Sequence, residues 1–195
     1  MPALRRSPAW PSPGLPRAGA YSHGVTPRLV KVTVSDVRLA IPSGLGVEAG
    51  LVTLREEAEP QRQLRIVVGQ PEARAVSSAW KGDVAPRPST WDLFVSAVAL
   101  LDARIDRAVI TAVEEERHWY ASIELEHAGG RRALACRPSD AVALALRSWG
   151  AGIFAREEVL VAAGVLADGT KPGQGRPPAA GREVDPGGNE GVSFS

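Results

Sequence analysis

The chain has 195 residues, 44% of them apolar, a formal net charge of +1 and one cysteine. That is enough for one domain of ordinary size with a buried core, too balanced in charge for a global electrostatic attraction to nucleic acid, and one thiol short of an internal disulfide. No run approaches the roughly eighteen apolar residues that a membrane helix requires.

Residues 1–27 carry Arg5, Arg6 and Arg17, and the first acidic residue of the chain is Asp36. Pro2, Pro8, Pro11, Pro13 and Pro16 oppose both the amphipathic helix of a transit peptide and the apolar core of a secretory signal. The stretch therefore reads as a disordered leader or an over-extended gene start. Residues 167–195 are crowded with glycine and proline and read as a second disordered segment. Between them, residues 28–166 are expected to fold. Trp10 and Phe194 fall in the flanking segments.

The folded part opens with alternation: Val30, Val32 and Val34 predict a half-buried strand over Leu29–Leu39. Gly44 and Gly46 mark a loop. Short strands follow at Leu51–Leu54 and Leu64–Val68, joined by a charged hairpin connection over Arg55–Gln63 that contains Pro60. Pro71 and Glu72 suit the first turn of a helix that runs to about Trp80. Ser89 and Asp92 have the spacing of a capping box, and the helix they open carries Phe94, Ala97, Val98 and Leu101 on one face.

Ile105–Val113 is rich in β-branched residues and predicts a strand. From His118 to His127, Trp119, Ala121, Ile123 and Leu125 alternate with Tyr120, Ser122, Glu124 and Glu126. Ala128-Gly129-Gly130 turns the chain into a strand over Arg131–Cys136. Arg137-Pro138-Ser139-Asp140 then starts a helix whose stripe is Val142, Ala145, Leu146 and Trp149. A short strand at Gly152–Phe154 and a helix ending near Ala163 close the domain. Hairpin-connected strands with inserted helices argue an α+β fold, a mixed sheet with helices packed on it.

The carboxylates available for chemistry are Glu72, Asp92, Asp140, Glu157 and Glu158. Glu72, Asp92 and Asp140 fall in first turns, where they cap backbone N–H groups and meet the positive end of the helix dipole. Arg87, Arg131, Arg132, Arg137 and Arg147 are the candidate phosphate binders, because a planar guanidinium matches two oxygens. Arg147, late in its helix, also complements the negative helix end. His118 and His127 flank one strand and stand about 30 Å apart if it is regular, too far to share a metal. His23 lies in the leader. Cys136 has no partner at ligand spacing and reads as a buried thiol. Trp119 and Tyr120 can stack on bases, although Trp119 alternates with core positions.

Several segments together resemble one family. Arg137-Pro138-Ser139-Asp140-Ala141-Val142-Ala143-Leu144-Ala145-Leu146-Arg147 is similar to the signature of the bifunctional nuclease family. Arg87-Pro88-Ser89-Thr90-Trp91-Asp92-Leu93 resembles its Arg-Pro-(Leu/Ser)-Thr-His-Asp-Leu segment, Val109-Ile110-Thr111 its Val-Ile-Thr strand, and Glu157-Glu158-Val159-Leu160 its closing helix. The agreement in order and spacing runs from about Leu29 to Val165. The resemblance implies the same α+β fold and cleavage of DNA and RNA. It makes Asp140, Asp92 and Glu157 the candidate catalytic residues, and Arg137, Ser139 and Arg87 the candidate substrate binders. Asp140 and Asp92 become candidate ligands for a divalent metal, Mg or Mn.

The chain also departs from that pattern. Trp91 stands where the family has histidine, and Ala112 and Ala135 stand where it has aspartate. Three expectations stay open: a metal-assisted nuclease, a catalytically impaired member that binds nucleic acid or a protein, and an assembly module that forms a homo-oligomer through a sheet edge or an apolar helix face. The alanine, arginine and proline bias points to a GC-rich bacterial genome and a cytoplasmic protein.

Overall fold

The structure is a computed structural model that describes residues 26–41, 48–114 and 118–172. The leader up to residue 25 with Trp10, the Gly44–Gly46 loop, and residues 173–195 with Phe194 lie outside the described residues. Among the described residues, seven strands and four helices follow in chain order: β1 (Leu29–Ile41), β2 (Ala49–Glu56), β3 (Gln63–Gly69), α1 (Gln70–Lys81), α2 (Thr90–Leu100), β4 (Ala103–Val113), β5 (Trp119–His127), β6 (Gly130–Cys136), α3 (Pro138–Arg147), β7 (Gly152–Arg156) and α4 (Glu157–Ala163).

All seven strands form one sheet in the order β3-β2-β1-β7-β4-β5-β6. Strands joined directly in the chain, β1–β2–β3 and β4–β5–β6, pair antiparallel, as short connections demand. The exception is β7, which inserts in the middle, antiparallel to β1 and parallel to β4. The sheet is therefore mixed, and the α+β expectation holds.

The alternating strands supply one wall of a single core. Val32, Leu54, Leu64, Ile110, Ile123 and Ala155 lie buried beneath Val76 of α1, Val98 of α2, Ala141–Ala145 of α3 and Leu160 of α4. In β5 the face of Trp119, Ala121, Ile123 and Leu125 packs on this core, and Tyr120, Ser122 and Glu124 point to the other side of the sheet, as the alternation predicts.

Two helix faces differ from their predicted stripes. On α2 the packed residues are Trp91, Phe94, Val95 and Val98, whereas Ala97 is exposed and Leu101 lies 77% open to solvent. The helix is apolar on nearly every side, so periodicity alone does not choose a face. On α3 the stripe ends with Leu146. Ser148 caps the helix in an extended conformation, and Trp149 leaves it to become fully exposed. The charged segment between β2 and β3 is the hairpin connection its sequence predicts, and Glu56 at the end of β2 and Arg62 within it are both buried.

Candidate functional site

The capping box at α2 forms as its spacing requires. The Asp92 carboxylate accepts from the Ser89 backbone N–H at 2.7 Å and from its hydroxyl at 2.5 Å, and the Asp92 N–H donates back to Ser89 Oγ at 3.3 Å. Its other oxygen accepts from Arg147 Nε at 3.1 Å. Hydrogen bonds from Ser89, and then the charge of Arg147, hold this carboxyl below its ordinary range. The Arg147 guanidinium also lies 5.9 Å from the Trp91 ring centroid. Trp91 is thus half-buried packing, and Asp92 is committed to holding α2 against the end of α3.

Asp140 has a different partner. It sits in the first turn of α3, where both its oxygens accept from Arg137, at 2.8 Å from Nε and 3.2 Å from Nη2. The third side of the guanidinium donates to Glu72 Oε1 at 2.8 Å, from the first turn of α1. Arg137 therefore draws together the N-termini of two helices, with 63% of its side chain open to solvent and the two carboxylates at 20% and 24%. The hydrogen bonds it donates to Asp140, and then to Glu72, raise its affinity for the proton further. Pro138 in the first turn leaves no N–H to satisfy, and the extended Arg137 backbone aims its side chain off the helix start. Ser139, beside it, is buried at 6% exposure.

Glu157 is held elsewhere. It opens α4 and pairs with Arg62 at 2.9 Å. Arg87 is exposed in the segment between α1 and α2. The candidate carboxylates Asp92, Asp140 and Glu157 are thus each bound by a different arginine, and the structure brings Asp140 together with Glu72 instead. No group of three or more His, Cys, Asp or Glu side chains placed to hold a metal occurs among the described residues. Glu72 and Asp140 instead converge on Arg137, whose guanidinium stands between them. His118 precedes β5 and His127 ends it, where its Nδ1 accepts from the Gly129 N–H. Cys136 is half-buried, and burial followed by the Asp140 charge pushes its thiol up to about 11. It carries no thiolate at neutral pH.

Beside Arg137 a cavity of about 680 Å³ opens on the side of the sheet that faces away from the helices. Its wall includes Arg107, Val109 and Thr111 of β4, Ser122 of β5 and Ala135 of β6, with Arg137 and Arg156 at its end. Sequence reasoning named Arg137 but not this cavity. The signal available in the chain was the alternation of β4, β5 and β6, which determines the second face of the sheet as well as the first.

The class defined by this architecture is a small α+β domain with an exposed, carboxylate-flanked arginine at the edge of an open sheet. The chain belongs to the bifunctional nuclease domain family, which it matches over residues 52–168. It is also similar to two proteins of Mycobacterium tuberculosis, "Uncharacterized protein MT1877" of strain CDC 1551 / Oshkosh and "Uncharacterized protein Rv1829" of strain ATCC 25618 / H37Rv. Each is 36% identical over 115 residues, which cover 59% of this chain and 67% of the relative. No helix among the described residues is long and apolar enough to cross a membrane.

Proposed function

We propose that the chain hydrolyses phosphodiester bonds in DNA and RNA at the start of α3. The observation that supports this is the exposed Arg137 guanidinium, gripped between Asp140 and Glu72. The Arg137 guanidinium is the solvent-exposed member of both pairs, so an incoming phosphate can reach it and exchange for a carboxylate. The planar fork of Arg137 then matches two phosphate oxygens, and the first turn of α3 adds backbone N–H donors and the positive end of the helix dipole. Asp140, released from Arg137, accepts the proton of the attacking water. Glu72 is the residue that would hold Mg or Mn, which when bound would activate water and neutralise the leaving oxygen, with Asp140 left as the base. In this reading Asp92 and Glu157 position helices, and Ser139 supports the α3 start from within.

A second reading, a member that binds nucleic acid without cutting it, is favoured by one observation. Ala135 lines the cavity at the position where the family pattern places an aspartate, and Trp91 replaces the family histidine with packing.

The test is a cleavage time course of the full chain on DNA and RNA with Mg²⁺, Mn²⁺ or EDTA, beside Asp140→Asn and Arg137→Gln. We expect metal-dependent cleavage and a loss of at least about 10²-fold in each variant, the scale of a missing acid–base or charge-stabilising group. Salt-sensitive binding without cleavage would move the protein to the second reading. Cleavage unchanged in both variants would remove the α3 site altogether.

A further inference from the structure

We infer that the cavity on the sheet face away from the helices is a nucleobase pocket, which takes the base of the nucleotide whose phosphate lies on Arg137. The inference rests on the phosphate reading of Arg137 and extends it to a second, separate recognition element. It starts from placement. Arg137 lines the cavity and also makes the ion pairs with Asp140 and Glu72, so an anion held there has the cavity directly beside it.

The chemistry of the wall then selects the rest of the ligand. Its floor is apolar: Val109 is 3% exposed, and Ala133 and Ala135 present only methyl groups from β6. Tyr120 adds aromatic surface at one end. Ser122 brings a hydroxyl that can donate and accept, opposite Ala135 in the strand register. Three arginines reach the cavity, each with a carboxylate partner: Arg107 with Glu124, Arg137 with Asp140 and Glu72, and Arg156 with Glu158. One of them, Arg107, is fixed as wall by its 2.7 Å pair with Glu124 and by the Phe154 ring beneath it.

A flat apolar group with a polar edge, joined to an anion, uses all of these features. Inorganic phosphate would leave the apolar floor unused, and an uncharged ring would leave Arg137 unused. The volume of about 680 Å³ falls in the range of sites that enclose small ligands. A base can enter only when it is out of its stack, so the pocket reads one unstacked nucleotide at a time.

The test is a binding titration of the full chain, by calorimetry or by chemical-shift changes, with adenosine and uridine monophosphates and with inorganic phosphate alone. Ala135→Leu fills the cavity from an exposed position on an edge strand, and Ser122→Ala removes the hydroxyl without adding bulk. We expect at least one nucleotide to bind roughly tenfold or more tightly than inorganic phosphate, the scale of one stacked base. Ala135→Leu should abolish that advantage and leave the phosphate affinity in place, and Ser122→Ala should reduce it. Equal affinity for phosphate and nucleotide, or an advantage that survives Ala135→Leu, would overturn the pocket. Cleavage by the parent chain without a base-dependent advantage would remove the pocket and keep the nuclease. A base-dependent advantage without cleavage would do the reverse.

Discussion

Arg147 does more than complement the end of its own helix. Its guanidinium donates to Asp92 Oδ1 at 3.1 Å, to the Ala75 carbonyl at 3.0 Å and to the Ala143 carbonyl at 3.3 Å, and it lies over Trp91. One residue thereby joins α1, α2 and α3. Its position late in α3 was legible in the sequence, and its partners were not, because Ala75 and Asp92 stand 72 and 55 residues away. The same division runs through the candidate site. Arg137 with Asp140, and Ser89 with Asp92, are contacts three residues apart, fixed by helix-start geometry and readable from spacing. Glu72 reaches Arg137 only because α1 and α3 pack together, which no local pattern encodes. A lysine keeps the charge of Arg147 but not its planar fork. Arg147→Lys should therefore lower the stability by about 1–3 kcal/mol, the worth of charge-assisted hydrogen bonds lost in a largely buried place. Urea unfolding measures this directly, and an unchanged midpoint would show that the three contacts add nothing to the fold.

At the scale of elements, helix existence was legible and helix orientation was not. The α2 sequence signals its start through the Ser89 box and then offers Leu93, Phe94, Val95, Val98, Leu100 and Leu101 in quick succession. Periodicity distinguishes faces only when one of them is polar. Tertiary packing decides here, and it is anchored at the N-terminal end, where Arg147 holds Asp92 and covers Trp91. That leaves Leu93 and Leu100 65% and 84% exposed on the outer side. The two assignments of the helix face differ at Leu101, which one packs and the other exposes. Val98→Ala should cost about 2 kcal/mol through lost burial and a cavity, and Leu101→Ala should stay within about 0.5 kcal/mol, as exposed substitutions do. Comparable losses for the two variants in denaturant unfolding would mean that α2 packs with the other face.

For the whole molecule, the hairpins β1–β2–β3 and β4–β5–β6 follow from alternation and turn residues, but the place of β7 does not. Its five residues carry no signal that they join the two hairpin groups into one sheet. What fixes the chain after β7 is a buried charge network invisible to sequence patterning. Glu56 accepts from the Arg62 backbone N–H at 2.8 Å and from its Nε and Nη2 at 2.8 and 2.7 Å, while Arg62 Nη1 reaches Glu157 of α4 at 2.9 Å. Gln63 pairs with Val165 just beyond α4, so the β2–β3 turn and the end of the domain are held as a unit. Burial pushes the Glu56 carboxyl up, but the hydrogen bonds and charge of Arg62 outweigh it and leave the group below its ordinary value of 4.5. A carboxyl with a lowered native pKa stabilises the fold fully above its unfolded value and loses that contribution as the pH falls through the native one. Unfolding free energy should therefore decline as the pH drops below about 4.5, where the unfolded chain takes up the proton first. Asp92, lowered from 3.8, adds to the same slope further down. Glu56→Gln should cost about 3–5 kcal/mol at neutral pH, because it leaves the buried Arg62 without its closest countercharge. The same substitution should flatten the acid limb, since the slope counts protons bound on unfolding and one carboxyl has been removed from that count. Urea titrations of both proteins between pH 7 and pH 3 separate these effects. Parallel curves would place the acid sensitivity elsewhere, and curves without an offset at pH 7 would reduce the Glu56–Arg62 pair to packing.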